Sequence, residues 1–543
     1  MSERDRTQRR EFFGTAAVGV GLAATSLARP RATAAASARS GASAALTDDH
    51  RQAVDRKRRI VVNYDALAHL FDYKPPDGQS SLARVKSHLL GLLDRPGSQI
   101  DSVGWCWSEG NEAPYPSVVL PTLLDHPVFQ RVPAGLDLVR LCCDETRKRG
   151  IESFFSLRIN GGDHDRGAAP KLPQKWQHKD WLINWNPDPD GPPEYISPYH
   201  KSAFWNFAAE GTRELKLRAL REVATNYDFD GIEVDYARNS PVLQPGHQWE
   251  HRGALTDFMR SLRRTLQEVA LRRRRPLLIG ARVPETIVGC HFDGIDIETW
   301  IRERLVDVLT LGCRTMAVDL ADFRMLTAAA GVKIYPCTDF VHKPDGYDPG
   351  IAAVSRGVYA NWWQQGADAV STFNYTYAGQ DWSMYGEIGS PQSLRYLDKM
   401  FAIERRGGGH SPVLTPYPNN WHTPRLAYAN TNMLGQLPVA LDPAARADNL
   451  LFLHVADDVA AAGGRVERLK LRVGLSHPAR IEVRLNAGLL TVDKREDQWT
   501  EFSPPADLFA VGKNLISVRH ERPPQADAPT VQIEKVELHV AYA

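Results

Sequence analysis

Several familiar catalytic signatures are missing from this 543-residue chain, and each absence removes a class of chemistry. No HExxH occurs, and the first strand-like segment ends in Asn63-Tyr64-Asp65 rather than a His-x-His pair. The usual ligand patterns of zinc proteases and metal-dependent barrel hydrolases are therefore absent. The GxSxG elbow of serine hydrolases is missing too. No glycine-rich phosphate loop follows the first strand, which argues against a dinucleotide-binding open sheet. No cofactor or metal is expected.

Cysteine is scarce. Cys106, Cys142, Cys143, Cys290, Cys313 and Cys337 show no CxxC or Cys/His spacing, and they read as small buried hydrophobes rather than a disulfide framework. An excess of either charge is lacking as well. The 66 Lys and Arg nearly balance 65 Asp and Glu, so neither nucleic acid nor an anionic membrane is expected as the main partner. The one early apolar run, 14–27, is too short and too rich in Gly and Ala to span a bilayer. It follows Thr7-Gln8-Arg9-Arg10-Glu11-Phe12-Phe13, which resembles the twin-arginine export consensus, and precedes small residues around 34–38. Residues 1–38 are expected to be an export signal that sends the chain to the periplasm or beyond, and 39–57 a polar leader. No Cys follows the run, so a lipid anchor is not expected.

What the chain does have is a repeating pattern. Strand-like runs at 59–65, 100–107, 151–160, 227–238, 276–283, 306–311, 332–337 and 367–374 alternate with helical patterns. A last helix is expected over 393–403. Eight strand–helix units over 58–404 are the count of a (β/α)8 TIM barrel with a parallel sheet. A Gly/Pro-rich linker is expected over 405–424. Period-two alternation beyond it, as at 469–473, 481–485 and 536–540, predicts an all-β sandwich over 425–543. The stretch 512–518 resembles a hairpin of jelly-roll accessory domains of glycoside hydrolases.

The fourth strand holds the densest chemistry. In Ile232-Glu233-Val234-Asp235 the apolar side chains face one way and both carboxylates the other. Burying two acids together is costly unless they serve a purpose; the bland alternative is a solvated edge strand. Barrel enzymes keep their chemistry at the C-terminal strand ends. Those ends offer Trp105 and Trp107; Arg158, Asn160 and His164; Glu233, Asp235, Tyr236 and Arg238; Arg282 and Glu285; Asp339; and Asn374 and Tyr375. Carboxylates, arginines and aromatics in one bowl suit a neutral polyol that reacts through an oxocarbenium-like transition state. Asp235 and Glu285 are the first candidates for a reacting pair, with Glu233 one layer deeper in support. Arg158 and Arg282 are placed to pair with Asp235. His164, in Asp163-His164-Asp165, is a candidate metal ligand, acid/base or contact to substrate, with a loop organiser as the alternative.

The run Phe229-Asp230-Gly231-Ile232-Glu233-Val234-Asp235-Tyr236-Ala237-Arg238 resembles the "FDGIELDFxR"-like strand of the family-10-like bacterial glycosyl hydrolase group. Arg282-Val283-Pro284-Glu285, Gly294-Ile295-Asp296 with Trp300, and the stretch 306–309 are similar to that group as well, over roughly residues 58–405. The resemblance implies a (β/α)8 glycosidase acting on a carbohydrate. Xylanases of family 10 place an Asn-Glu at strand four and a Glu at strand seven, where this chain has Asp235 and Asp339, so that specificity is not implied. The layout is closer to the α-amylase type, which by position suggests Asp235 as nucleophile, Glu285 as acid/base and Asp339 as stabiliser. A glycan-binding barrel without catalysis and a metal-dependent hydrolase on the same barrel are the alternatives.

Overall fold

Short runs of aliphatic residues, most followed by a helix, close on themselves in this chain. The computed structural model describes residues 46–543 except 76–77, 108–109, 161–172, 184–203, 239, 245, 313–314, 341–346, 349, 377–380, 406–433 and 526–527. The expected export signal, His164 and most of the expected linker lie outside the described residues.

The strands are β1 (Ile60–Asp65), β2 (Ile100–Cys106), β3 (Glu152–Arg158), β4 (Gly231–Asp235), β5 (Leu278–Val283), β6 (Val308–Leu311), β7 (Lys333–Asp339) and β8 (Val370–Phe373). They form a closed parallel barrel in sequence order, sealed by pairing of β1 with β8. Alternation sorts their side chains. Ile232, Val234, Ile279, Ala281, Leu309 and Leu311 point outward into the main apolar core, while inside the bore Glu233 accepts from Ser156 and Thr310 and Asp235 accepts from Arg282.

The N-terminal end of the barrel is plugged by charge pairs. Arg58 grips Glu152 with two bonds of 2.7 Å, both residues buried. Asp307 accepts from His50 (2.9 Å), Arg263 (3.0 Å) and the backbone N–H of Ile279 (2.7 Å). Burial alone would raise this carboxyl, but Arg263 and His50 outweigh it and hold it at about 2. His50 belongs to the helix Asp48–Asp55. The end of the stretch expected as a polar leader is therefore folded against the barrel.

The expected last helix over 393–403 does not form. Only Pro391–Leu394 is helical, and β9 (Lys399–Ala402) is a strand that pairs antiparallel with β18 (Gln532–Tyr542) at the far end of the chain. A partner so distant in sequence leaves no local signature, and tertiary pairing overrode the periodicity. Between them come β10 (Val439–Ala440), β11 (Asn449–Val455), β12 (Val466–Leu475), β13 (Ile481–Leu485), β14 (Gly488–Leu489), β15 (Val492–Glu496), β16 (Trp499–Phe502) and β17 (Gly512–His520). They build two antiparallel sheets, β10-β18-β12-β16-β15, with β9 added to β18, and β11-β17-β13-β14. This is the expected sandwich. The barrel helix Ala352–Gln364 lies so close to β9 that a Cβ on Gly357 would sit 2.1 Å from the carbonyl oxygen of Met400.

Candidate active site

The C-terminal strand ends stack two polar layers inside the bore. In the deeper one, Glu233 accepts hydrogen bonds from Asn63 (3.1 Å), Ser156 (2.7 Å) and Thr310 (3.1 Å), which come from β1, β3 and β6. Burial first, and the charge of Asp235 second, raise its carboxyl above the ordinary value. Gly104 and Gly280 leave room beside it, and below it lies an internal cavity of about 20 Å³ reaching down to Arg58 and Glu152. That is the space of roughly one water molecule. Glu233 is thus buried and bonded one layer below Asp235.

The upper layer is built twice on one plan. Asp235 closes β4; its Oδ1 accepts the N–H groups of Ala237 (3.0 Å) and Arg238 (2.9 Å), and its Oδ2 accepts from Arg282 on β5 (2.9 Å). Asp65 closes β1; its Oδ1 accepts the N–H of Ala68 (3.3 Å), and its Oδ2 accepts from Arg158 on β3 (2.6 Å). Each aspartate therefore fixes the turn after its own strand with one oxygen and an arginine with the other. Both arginines face the Phe373 ring at the end of β8, Arg282 at 3.7 Å from its centroid and Arg158 at 5.5 Å. Of the two arginines expected to reach Asp235, only Arg282 does; Arg158 belongs to Asp65. Asp235 and Arg282 are wholly buried.

Glu285, two residues past β5, has a different environment. It is buried (1 % exposed), and among the described residues its Oε1 has no hydrogen-bond partner. Burial pushes its carboxyl up to about 8, with further pressure from the charges of Glu404 and Asp293. Asp339 closes β7, and its Oδ1 accepts from the Asn374 amide at 3.1 Å. Asn374 holds a left-handed backbone, φ 61°, which asparagine tolerates better than most residues. Strain of that kind at a strand end marks a place where geometry matters more than comfort.

Other expected contacts are placed elsewhere. Trp105 points away from the bore, where its Nε1 donates to Thr146 (3.1 Å) and its ring packs on Tyr64. Tyr236 likewise faces the helices, next to Met259 and Trp300. Both are corrections, and both follow from strand phase: Trp105 is out of step with Gly104 and Cys106, and Tyr236 with Asp235. Asn160 is a tie between loops, donating to Pro241 O (2.7 Å) and accepting the N–H of Trp205 (2.9 Å). Tyr375 packs on Phe340 (3.8 Å between ring centroids), and its hydroxyl donates to Asp381 O. Trp107 stays at the barrel end, fully buried, with no partner for its Nε1 among the described residues. Arg238 contributes its backbone N–H to Asp235 and is nearly buried. Sequence reasoning missed Phe373 and Glu404. The first was detectable, since it is in phase with Ser371 on the inward face of β8; the second comes from outside the barrel.

Cys106, Cys142, Cys143, Cys290 and Cys337 are buried thiols outside any disulfide, as expected; Cys313 lies outside the described residues. Among the described residues no three His, Cys, Asp or Glu side chains are grouped to hold a metal ion. No described helix is long and apolar enough to cross a membrane.

Fold and site together define a (β/α)8 barrel with a bowl of carboxylates and arginines at the C-terminal ends of its strands. No family model matches the chain, and no curated protein does. Among solved structures it is similar to the glycoside hydrolase domain of PgaB (BpsB) from Bordetella bronchiseptica, at 14% identity and a TM-score of 0.38, over 62% of this chain and 99% of that one. It is also similar to a noncanonic maltogenic α-amylase, AmyB, from Thermotoga neapolitana, at 10% identity and a TM-score of 0.34, over 84% and 98%. A third is a family 18 N-acetylglucosaminidase from Paenibacillus barengoltzii, at 12% identity and a TM-score of 0.29, over 52% and 69%. Likeness this distant says nothing about chemistry, and the barrel is read from its own strand pairing.

Proposed function

We propose that this chain is an exported glycoside hydrolase that cleaves O-glycosidic bonds by carboxylate acid/base chemistry. One observation carries the reading: one end of the barrel holds two carboxyl groups in opposite surroundings. Asp235 receives three donors, one of them a guanidinium. Glu285 is desolvated, lacks a partner on Oε1 among the described residues, and holds its proton up to about pH 8. Acid and ion kept apart by their environments are what glycoside cleavage requires. In this scheme Glu285 gives its proton to the departing glycosidic oxygen. Asp235 is the carboxylate opposite, bonding to the anomeric carbon as Arg282 yields one of its oxygens. Water then displaces Asp235 and returns a proton to Glu285. Asp339, steadied by Asn374, stabilises the developing positive charge. Twin-arginine export is supported by the sequence 7–13 alone.

A second reading, a glycan-binding barrel without turnover, is favoured by one fact: both oxygens of Asp235 are occupied and the residue has no exposure. A hydrolysis screen over a glycan panel, with wild type, Asp235→Asn and Glu285→Gln, separates the two. Turnover by the wild type and its loss in both variants supports the enzyme. Full activity in both variants would refute these roles, and a wild type that binds glycans yet cleaves none would establish the binder.

A further inference from the structure

The carboxylate that presses hardest on Glu285 is not from the barrel bore. It is Glu404, with Asp293 second. Glu404 follows β9, and its backbone is tied into the sandwich. Its carbonyl accepts the N–H of Gln436 at 3.0 Å, and the preceding Ile403 donates to Val536 O at 3.0 Å. The side chain turns the other way, into the barrel loop that follows β6. Met316 N–H donates to Oε1 (2.8 Å), Ala317 N–H to Oε2 (3.1 Å), and the Thr315 hydroxyl lies 2.6 Å from Oε2. Glu404 is itself buried, 4 % exposed.

The same loop clasps Glu285. Asp319 N–H donates to the Glu285 carbonyl at 3.0 Å, and a Cβ on Gly312 would sit 3.6 Å from the Glu285 Cβ. From its outer side the loop is held by Trp362, whose Nε1 donates to Met316 O at 3.1 Å. Residues 315–319 therefore form a bridge with Glu404 at one end and Glu285 at the other.

We propose that Glu404 is a positioning residue for Glu285: the sandwich delivers a buried carboxylate that locks the loop after β6 and sets the electrostatic surroundings of the proton donor. This deepens the reading of Glu285 as that donor and makes the sandwich a working part of the site. The physics is that of two acids in a dry space, where the charge on one discourages ionisation of the other. Burial pushes Glu404 up to about 7, opposed by its three donors. Among the described residues the titratable groups facing Glu285 are Glu404, Asp293 and, on the short helix after β5, Cys290; at the loop's end burial raises the Asp319 carboxyl, with Lys513 opposing.

The test uses the full chain. The infrared carbonyl stretch of protonated Glu285 is assigned by its loss in Glu285→Gln and titrated in wild type, Glu404→Gln and Glu404→Asp. Glu404→Gln should lower the midpoint of that band by about one pH unit, a tenfold change in ionisation constant, and Glu404→Asp should restore part of it. Amide exchange at Met316 and Ala317 should quicken at least about tenfold in Glu404→Gln, as expected for loss of a charge-assisted bond. A purely structural Glu404 would not move the Glu285 midpoint, and an unmoved midpoint in folded Glu404→Gln overturns the proposal. Should that variant fail to fold, the wild type decides. Protection of the Met316 and Ala317 amides, corrected for intrinsic exchange, should drop as the pH falls through about 7; protection independent of pH refutes it. A shifted band beside an inert glycan panel would sink the hydrolase reading alone.

Discussion

The guanidinium of Arg282 lies over the face of Phe373, 3.7 Å from its carbon to the ring centroid. One side of that planar group is therefore covered by an aromatic surface, while its edge donates to Asp235 at 2.9 Å. Arginine is suited to this double use because its charge is spread over a flat, weakly hydrated fork. Arg158 repeats the arrangement with Asp65, so a single ring sits between two ion pairs. The bowl is thus prebuilt: its charges are ordered before any ligand arrives, which is the condition for electrostatic stabilisation of a developing charge.

Removing one partner of that buried pair should be costly. Arg282→Met leaves the Asp235 carboxylate in a dry site, and urea unfolding should show a loss of about 3–5 kcal/mol. Asp235→Asn keeps the shape and an acceptor for the two backbone N–H groups but leaves the Arg282 charge without this carboxylate, so it should fold with reduced stability. On a substrate found by the glycan screen its turnover should fall at least about 100-fold. Retained turnover in a folded Asp235→Asn would leave the residue a purely structural clasp.

Stability should depend on pH through Glu285. Unfolded, this carboxyl loses its proton near 4.5; folded, it holds the proton to about 8. The folded chain therefore binds the extra proton between those values, and its stability is greatest below the window and declines as pH rises through it. Glu404, held to about 7, adds to the same slope. Thermal melting from pH 5 to pH 9 should show the decline, and Glu285→Gln should reduce it, leaving the part due to Glu404. An equal slope in the variant would mean that Glu285 is not the titrating group. The rate of glycan cleavage should fall on the basic side near pH 8, where the donor loses its proton.

Gly357 should resist replacement. Alanine is the better helix former by about 1 kcal/mol, yet its methyl carbon would meet Met400 O at 2.1 Å. Overpacking of that kind costs about 1–3 kcal/mol, so Gly357→Ala should lower the melting temperature. A rise would show that β9 can move away from the helix at little cost.

Asn374→Gly separates backbone from side chain. Glycine accepts the left-handed conformation at φ 61° without strain, so the loss is the bond to Asp339 and the packing of a small buried side chain. Stability should change by no more than about 1 kcal/mol, while turnover should drop about tenfold if Asp339 needs that amide to hold its place. Unchanged turnover would show that Asp339 keeps its place without the Asn374 amide.

The barrel was legible because its signal is local. Each strand carries its own alternation and each helix its own period, and counting them needs no knowledge of contacts. The same alternation was enough to put Glu233 and Asp235 inside, and one more application of it would have put Phe373 inside and Trp105 and Tyr236 outside. The helix expected over 393–403 failed for the opposite reason: β9 exists only because β18 pairs with it. Arg158 and Arg282 looked interchangeable as partners for Asp235. Their division between Asp65 and Asp235 depends on which strand ends meet across the bore.

By itself the sequence determined the closed eight-stranded barrel, the sandwich after it, and the inward set of acids on β4, since periodicity and strand phase are properties of the chain. The tertiary structure decided what those acids are. Asp235 became a clasped carboxylate because Arg282 and two backbone N–H groups converge on it. Glu285 became a buried acid because the loop after β6 closes over it and Glu404 comes in from the sandwich side. A side chain's identity is written locally, whereas its solvation and its charged neighbours are set by parts of the chain that meet only on folding, and those set its acidity.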